Sequence, residues 1–166
     1  IVTLTPIKNP KIDTITFDSY AGGYMIAKHF EELGYKNFGF ISGPKHPIMG
    51  TFKQPPIDAI FRKNGFLDHI SENPSLQLVW TFDGDFSSST GRVAFEDFSK
   101  RNLNDVAIFG CNDETCYGFI KGATENGYKV PEDFIIAGYD NLTFSEIITP
   151  ELTSIYTDFF LLGSKA

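Results

Sequence analysis

Histidine, tryptophan, methionine and cysteine are all scarce, with three, one, two and two copies respectively in 166 residues. His29, His46 and His69 stand at spacings that offer no metal pair. Cys111 and Cys116 match neither the Cys-x-x-Cys redox spacing nor the disulfide framework of a small secreted domain. Reduced thiols in a cytoplasmic protein are the expectation. Positive charge is in short supply too: 14 basic against 21 acidic residues leave a net charge of −7, which argues against a broad nucleic-acid surface on this chain. No apolar run approaches the roughly 20 residues that cross a bilayer, and the start, Ile1-Val2-Thr3-Leu4, lacks the basic and cleavage regions of a signal peptide. With no initiator Met and a last apolar run at Phe159-Phe160-Leu161-Leu162, the chain reads as an internal piece of a longer protein.

Catalytic signatures are missing as well. No Gly-x-Ser-x-Gly turn supplies an activated serine. Neither Gly-x-Gly-x-x-Gly nor the phosphate-cradling Lys motif gives warrant for a dinucleotide or nucleoside triphosphate. Cys111 lies just before a helix start, where a thiol pKa falls, yet no His stands at an evident partner position, so an inert buried thiol is expected. Asp83-Gly84-Asp85 after an apolar strand resembles the nucleophile motif of Mg²⁺-dependent haloacid-dehalogenase-type phosphatases. It follows the second strand rather than the first, and continues into Phe86-Ser87-Ser88-Ser89 instead of Thr and an apolar residue. The sequence therefore points to a binding module, not an enzyme, with no cofactor.

What is present is apolar material, 42% of residues with 15% aromatic, enough for one core. Five short β-favouring runs fall near residues 38–42, 76–82, 106–110, 134–138 and 153–156, mostly separated by helical patterns. This alternation predicts an α/β fold: a parallel five-stranded sheet with helices on both faces. Another extended stretch, Asp13 to Phe17, precedes the first helix. Pro6, Pro10 and Pro55-Pro56 mark loops.

Helix 1 carries the stripe Ile26, Phe30 and Leu33 and ends at Gly34, suited to the left-handed position past the helix. Helix 2 carries Ile57, Ile60, Phe61, Asn64 and Leu67. His29 and His69 lie in these two patterns, in solvated or cap-side roles. Ser87 caps a helix with Gly91, Ala94, Phe95 and Phe98. Asn112 or Asp113 caps one with Tyr117, Ile120 and Ala123, before Gly127, and Val130-Pro131-Glu132-Asp133 turns into the fourth strand.

In open parallel sheets ligands bind beyond the carboxyl ends of the strands. Those ends read Gly43-Pro44, Asp83-Gly84-Asp85-Phe86-Ser87, Cys111-Asn112-Asp113, Gly138-Tyr139-Asp140-Asn141 and Thr157-Asp158-Phe159. Carboxylates and amides satisfy several hydroxyls at once while an aromatic packs on the apolar face of a ring, which suits a sugar or polyol. Asp85, Asp113 and Asp140 have an alternative role as caps and turn formers.

In order, AGGYMIAKHFEELGYKNFGFISGP, RKNGF, GDFSSSTG, AIFGCNDETCYGF, VPEDFIIAGYDN and TPELTSIYTDFFLLGSKA resemble the effector-binding domain of LacI/GalR regulators over nearly the whole chain. The resemblance implies a periplasmic-binding-protein-like fold of two lobes around an effector. Residues 1–17 would be a crossover from the other lobe, 18–156 the C-terminal lobe and 157–166 the start of a return segment, with the helix-turn-helix outside this chain. It implies effector contacts at Arg62, Phe86, Asn112, Asp140 and, at the hinge side, Thr157, with Asp113 a helix cap. A solvated helix charge is the alternative role for Arg62. It also implies a homodimer surface at Tyr117, Phe144, Ile147 and Ile148, the last three partly exposed in an isolated lobe, although covering the sheet edge is their alternative role. The implied partners are a sugar or sugar derivative and, through the missing region, operator DNA; no membrane is involved. The function implied is effector sensing for a sugar-responsive repressor. A sugar-binding receptor of a transport system shares the fold and is the second reading. The sequence departs from the family at Leu4-Thr5-Pro6, where an aspartate is common, and at Lys53-Gln54-Pro55-Pro56, where an Arg-rich stretch is usual.

Overall fold

Five apolar runs bounded by turn-forming residues become five parallel strands, and the three central ones are buried on both faces because helices cover the sheet. The computed structural model describes residues 2–4, 13–45 and 56–166; Thr5, Pro6, Pro10, His46 and 53–55 lie outside them. In chain order the elements are β1 (Val2–Thr3), β2 (Asp13–Thr14), α1 (Ser19–Glu32), β3 (Asn37–Ser42), α2 (Ile57–Glu72), β4 (Gln77–Asp83) and α3 (Ser88–Ser99). Then come β5 (Val106–Gly110), α4 (Asp113–Glu125), β6 (Ile135–Asp140), a 3-10 turn (Thr143–Glu146), β7 (Thr153–Tyr156) and α5 (Phe159–Lys165). The main sheet runs β4-β3-β5-β6-β7, all parallel, and β1 pairs with β2 as a separate two-stranded sheet. The extended stretch read from Asp13 to Phe17 is thus a strand only at its first two residues, which pair with Val2–Thr3.

Two aromatic cores flank the sheet. On one face Phe30 of α1 and Phe66 of α2 meet Phe38, Phe40 and Phe109 from the strands. On the other, Phe95, Phe98 and Phe119 of α3 and α4 meet Trp80 and Phe134. Both helix pairs cross where glycines remove the side chain. A Cβ at Gly65 would run into the Tyr20 carbonyl and one at Gly23 into the Arg62 carbonyl, so α1 and α2 touch backbone to backbone. Gly91 and Gly118 do the same for α3 and α4, against the carbonyls of Thr115 and Ser88.

Three expectations from the helical patterns change. Leu33 is 56% exposed because α1 ends there, with Gly34 taking the left-handed turn at φ 94°. The buried face of α2 is rotated from the expected stripe: Ala59, Gly65, Phe66, His69 and Ile70 face inward, while Ile60 and Phe61 are 45% and 43% exposed and Asn64 points outward. His69 is buried rather than solvated. Its Nε2 lies 2.7 Å from Glu31, whose other oxygen accepts from Asn73 at 2.6 Å, an arrangement that ties the end of α2 to α1. The hydrogen bonds from Asn73 and then His69 hold the Glu31 carboxyl below its ordinary range.

Candidate functional site

The carboxyl ends of β3, β4, β5 and β6 gather at one edge, and the sheet order changes direction around β3, where open α/β sheets place their ligands. Arg62, on the inward face of α2, reaches this edge. Its Nη1 donates to the Cys111 carbonyl at 2.7 Å, its Nη2 donates to Asp140 Oδ1 at 3.2 Å, and its guanidinium lies 3.7 Å over the Tyr139 ring. Both side chains of the ion pair are largely covered, 13% exposed for Arg62 and 19% for Asp140. Burial pushes the Asp140 carboxyl up to about 6, against the pull of the Arg62 charge.

Local backbone geometry aims these groups. Asp140 and Asn141 leave β6 with φ of 107° and 49°, and Phe86 leaves β4 with φ of 73°. Non-glycine residues in that region carry strain that surrounding contacts must hold in place. For Phe86 the holder is Asn112, whose Nδ2 donates to the Phe86 carbonyl at 2.9 Å. The Phe86 ring packs against Gly43 so closely that a Cβ there would meet it at 2.6 Å. The same Asn112 accepts from the Thr115 amide at 3.2 Å and so caps α4.

Of the two residues expected as the cap of α4, Asn112 or Asp113, the structure gives the role to Asn112, against the cap role that the resemblance implies for Asp113. Asp113 is fully buried beneath the turn after β6, where it accepts from the Leu142 amide and from the hydroxyls of Ser145 and Ser154. The hydroxyls come from two segments distant in sequence, so no local pattern announces the role. Thr157, just past β7, is 5% exposed; its amide donates to the Asp140 carbonyl at 3.4 Å, and its hydroxyl has no hydrogen-bond partner among the described residues.

Arg62, Phe86, Asn112, Asp140 and Thr157 therefore share one edge, joined by direct or single-residue links. Sequence reasoning missed Tyr139, which supports the guanidinium, and Asp58. The latter lies one helical turn before Arg62, the i, i+4 spacing that puts both on one face, and Ser19 donates to it at 3.4 Å. Burial raises the Asp58 carboxyl, with Arg62 drawing it back. Cys111 is buried with its thiol pushed up to about 11 by burial, so it is protonated at neutral pH. In the phosphatase-like motif, Asp83 pairs with Lys45 at 2.7 Å, and Asp85 accepts from the amide and hydroxyl of Ser87. Ser87 in turn caps α3 at the Thr90 amide.

Away from the edge, Tyr117, Leu142, Phe144 and Ile148 line a groove of about 690 Å³ along α4. Phe144 is 52% and Ile147 67% exposed, while Ile148 and Tyr117 are partly buried against the core. Among the described residues, no helix is long and apolar enough to cross a membrane.

Comparison with known proteins yields one family model, the periplasmic binding protein-like domain, over residues 27–166. The HTH-type transcriptional repressor PurR of Mannheimia succiniciproducens is 35% identical over 159 residues, which cover 95% of this chain and 45% of the relative. The chain spans about half the length of the curated relatives it matches. Among solved structures, a LacI family transcriptional regulator from Enterococcus faecium with bound ribose superposes with a TM-score of 0.84 at 26% identity, over 99% of this chain and 58% of that one. A dimeric Lac repressor with an 11-residue C-terminal deletion gives 0.85 at 25% identity, over 99% and 57%.

Proposed function

The chain belongs to the periplasmic binding protein-like domain family, in its LacI/GalR form, and from that premise we propose that it is the effector-sensing lobe of a DNA-binding transcriptional repressor. The observation that carries the reading is the Arg62–Asp140 pair at the carboxyl edge of the sheet, with Asn112 and Phe86 beside it. A guanidinium and a carboxylate side by side offer fixed donors and acceptors to vicinal hydroxyls, and an aromatic ring beside them packs on the apolar face of a sugar. The effector class is a sugar or sugar derivative, in keeping with the ribose bound to the Enterococcus faecium relative.

Residues 1–17 and 157–166 connect this lobe to a second one, and operator binding belongs to a helix-turn-helix outside the chain. The net charge of −7 supports that division, since a repulsive surface does not hold phosphates. The effector acts by favouring one arrangement of the two lobes over another, which the DNA-binding segment reads. Tyr117, Phe144, Ile147 and Ile148 form a homodimer surface, consistent with the dimeric Lac repressor among the structural relatives. Work at an operator implies a cytoplasmic protein. The role is binding rather than catalysis; the Cys111 thiol, protonated at neutral pH, does not supply a nucleophile.

The test is a thermal-shift and calorimetry screen of the full-length gene product against common sugars and sugar phosphates, repeated with Asp140→Ala and Arg62→Ala. A ligand whose affinity falls at least about tenfold in both variants, the effect of losing one charge-assisted hydrogen bond, supports the reading. A ligand that binds both variants as tightly as wild type rejects this site.

A further inference from the structure

Among the described residues Asp113 is the acid with no exposed surface, and the effector reading above gives it no role. Its two oxygens have three partners. Oδ2 accepts from the Leu142 amide at 2.7 Å and from the Ser145 hydroxyl at 3.1 Å; Oδ1 accepts from the Ser154 hydroxyl at 2.6 Å. Ser154 also accepts from the Asn141 amide at 3.0 Å. Burial pushes the Asp113 carboxyl up from its ordinary value, against the pull of these hydrogen bonds. The Leu142 amide cannot reverse, so the oxygen it meets is an acceptor in either protonation state.

The segment held this way is the turn that carries Asp140 and Asn141 at φ 107° and 49°, and so the turn that points Asp140 at Arg62. On the opposite side, the Tyr117 hydroxyl lies 2.7 Å from the Ser145 hydroxyl, whose proton goes to Asp113, so Tyr117 is the donor there. Tyr117 also stacks edge-on against Phe144 with centroids 5.1 Å apart, at the outer groove. A continuous hydrogen-bonded path thus runs from the outer face through Ser145 and Asp113 to the turn that carries Asp140.

We propose that Asp113 is a positioning residue: it clamps the Asn141–Leu142 turn so that Asp140 meets Arg62, and it ties that turn to the outer face through Ser145 and Tyr117. Under the functional reading above, on which the identity of the occupants rests, a second copy on the outer face and an effector at the sheet edge each bias the same turn, which is what couples two sites.

Amide hydrogen exchange and the Arg62 side-chain NMR signals of the intact, ligand-free chain test this, in wild type, Asp113→Ala, Ser154→Ala and Tyr117→Phe. Asp113→Ala should speed exchange at Leu142 about tenfold or more, as expected for a buried donor left unpaired. It should also shift the Arg62 guanidinium signals, while Ile108 and Phe109 stay within about threefold of wild type. Tyr117→Phe should give the same pattern at smaller amplitude. Wild-type signals at Leu142 and Arg62 in Asp113→Ala would overturn the clamp, and so would acceleration spread evenly over the core, the mark of simple loss of stability. An unchanged turn in Tyr117→Phe would overturn the link to the outer face. Should Asp113→Ala not fold, Ser154→Ala leaves the carboxyl in place and must loosen Asn141; an unaffected Asn141 overturns the proposal. Because neither ligand nor partner is added, an intact clamp in a protein that binds no sugar would leave this inference standing while the effector reading fell.

Discussion

Asp140 lies between a guanidinium that favours its charge and a covered edge that disfavours it, and the edge prevails, lifting its pKa from 3.8 to about 6. The folded protein therefore holds that proton more tightly than the unfolded chain does. The contribution to stability is fully present below the unfolded pKa and is lost as pH rises through about 6, a change of about 3 kcal/mol at most. Unfolding midpoints measured from pH 4 to 7 should show this loss in wild type and lack it in Asp140→Asn. Arg62→Ala acts in the opposite sense on the same carboxyl: without the guanidinium the Asp140 pKa rises further, visible by carboxyl ¹³C titration. Stability at pH 7 should fall by about 2–4 kcal/mol, because the covered carboxylate loses its partner and must stay unpaired or take up a proton. These residues were legible for different reasons. Asp140, Asn112 and Phe86 stand at strand ends, which follow from apolar runs, and the family resemblance then picked them out from their neighbours there. Asp113 also stands at a strand end, but its work depends on Ser145 and Ser154, which only the folded chain brings to it.

At the scale of elements, the central strands were read almost to the residue because burial on both faces leaves an unbroken apolar run such as Val106–Gly110, while β4 and β7 at the edges were legible as β-favouring residues bounded by turns. Helix α2 was read as a helix but turned the wrong way. Its inward face carries Arg62 and His69, while Ile60 and Phe61 face out, so a stripe drawn from hydrophobicity follows the wrong side wherever a buried face holds polar groups with partners. The crossing of α1 on α2 sets where Arg62 stands. Gly65→Ala places a methyl group against the Tyr20 carbonyl, and the helices must separate to admit it. A loss of about 2–3 kcal/mol in denaturant unfolding is expected, accompanied by a shift of the Arg62 signals because Arg62 shares the displaced helix. Gly118→Ala, at the other crossing, should cost a similar amount while leaving the Arg62 signals in place.

For the whole molecule, the question is what covers the outer face. Ile147 is 67% exposed, so Ile147→Asp should change the stability of an isolated subunit by no more than about 0.5 kcal/mol. In the full-length protein it should nonetheless convert a dimer to a monomer in sedimentation velocity, since a charge at the centre of an apolar contact has no partner. Unchanged sedimentation would mean that these side chains merely shield the sheet edge. The alternation of apolar runs and helical patterns predicted the parallel five-stranded sheet with helices on both faces, and the structure has it, because apolar period and turn chemistry determine both.

The glycine crossings bear on how rigidly α1 and α2 are joined. Side chains between helices can change rotamer and absorb a displacement, but a backbone pressed on a backbone has no such freedom. Tyr20 on α1 and Gly65 on α2 therefore meet with no side chain between them to take up a displacement, and Arg62 stands one turn before that contact. In mechanical terms the α1–α2 layer is a lever rather than a cushion, with the guanidinium at the sheet edge on one of its arms.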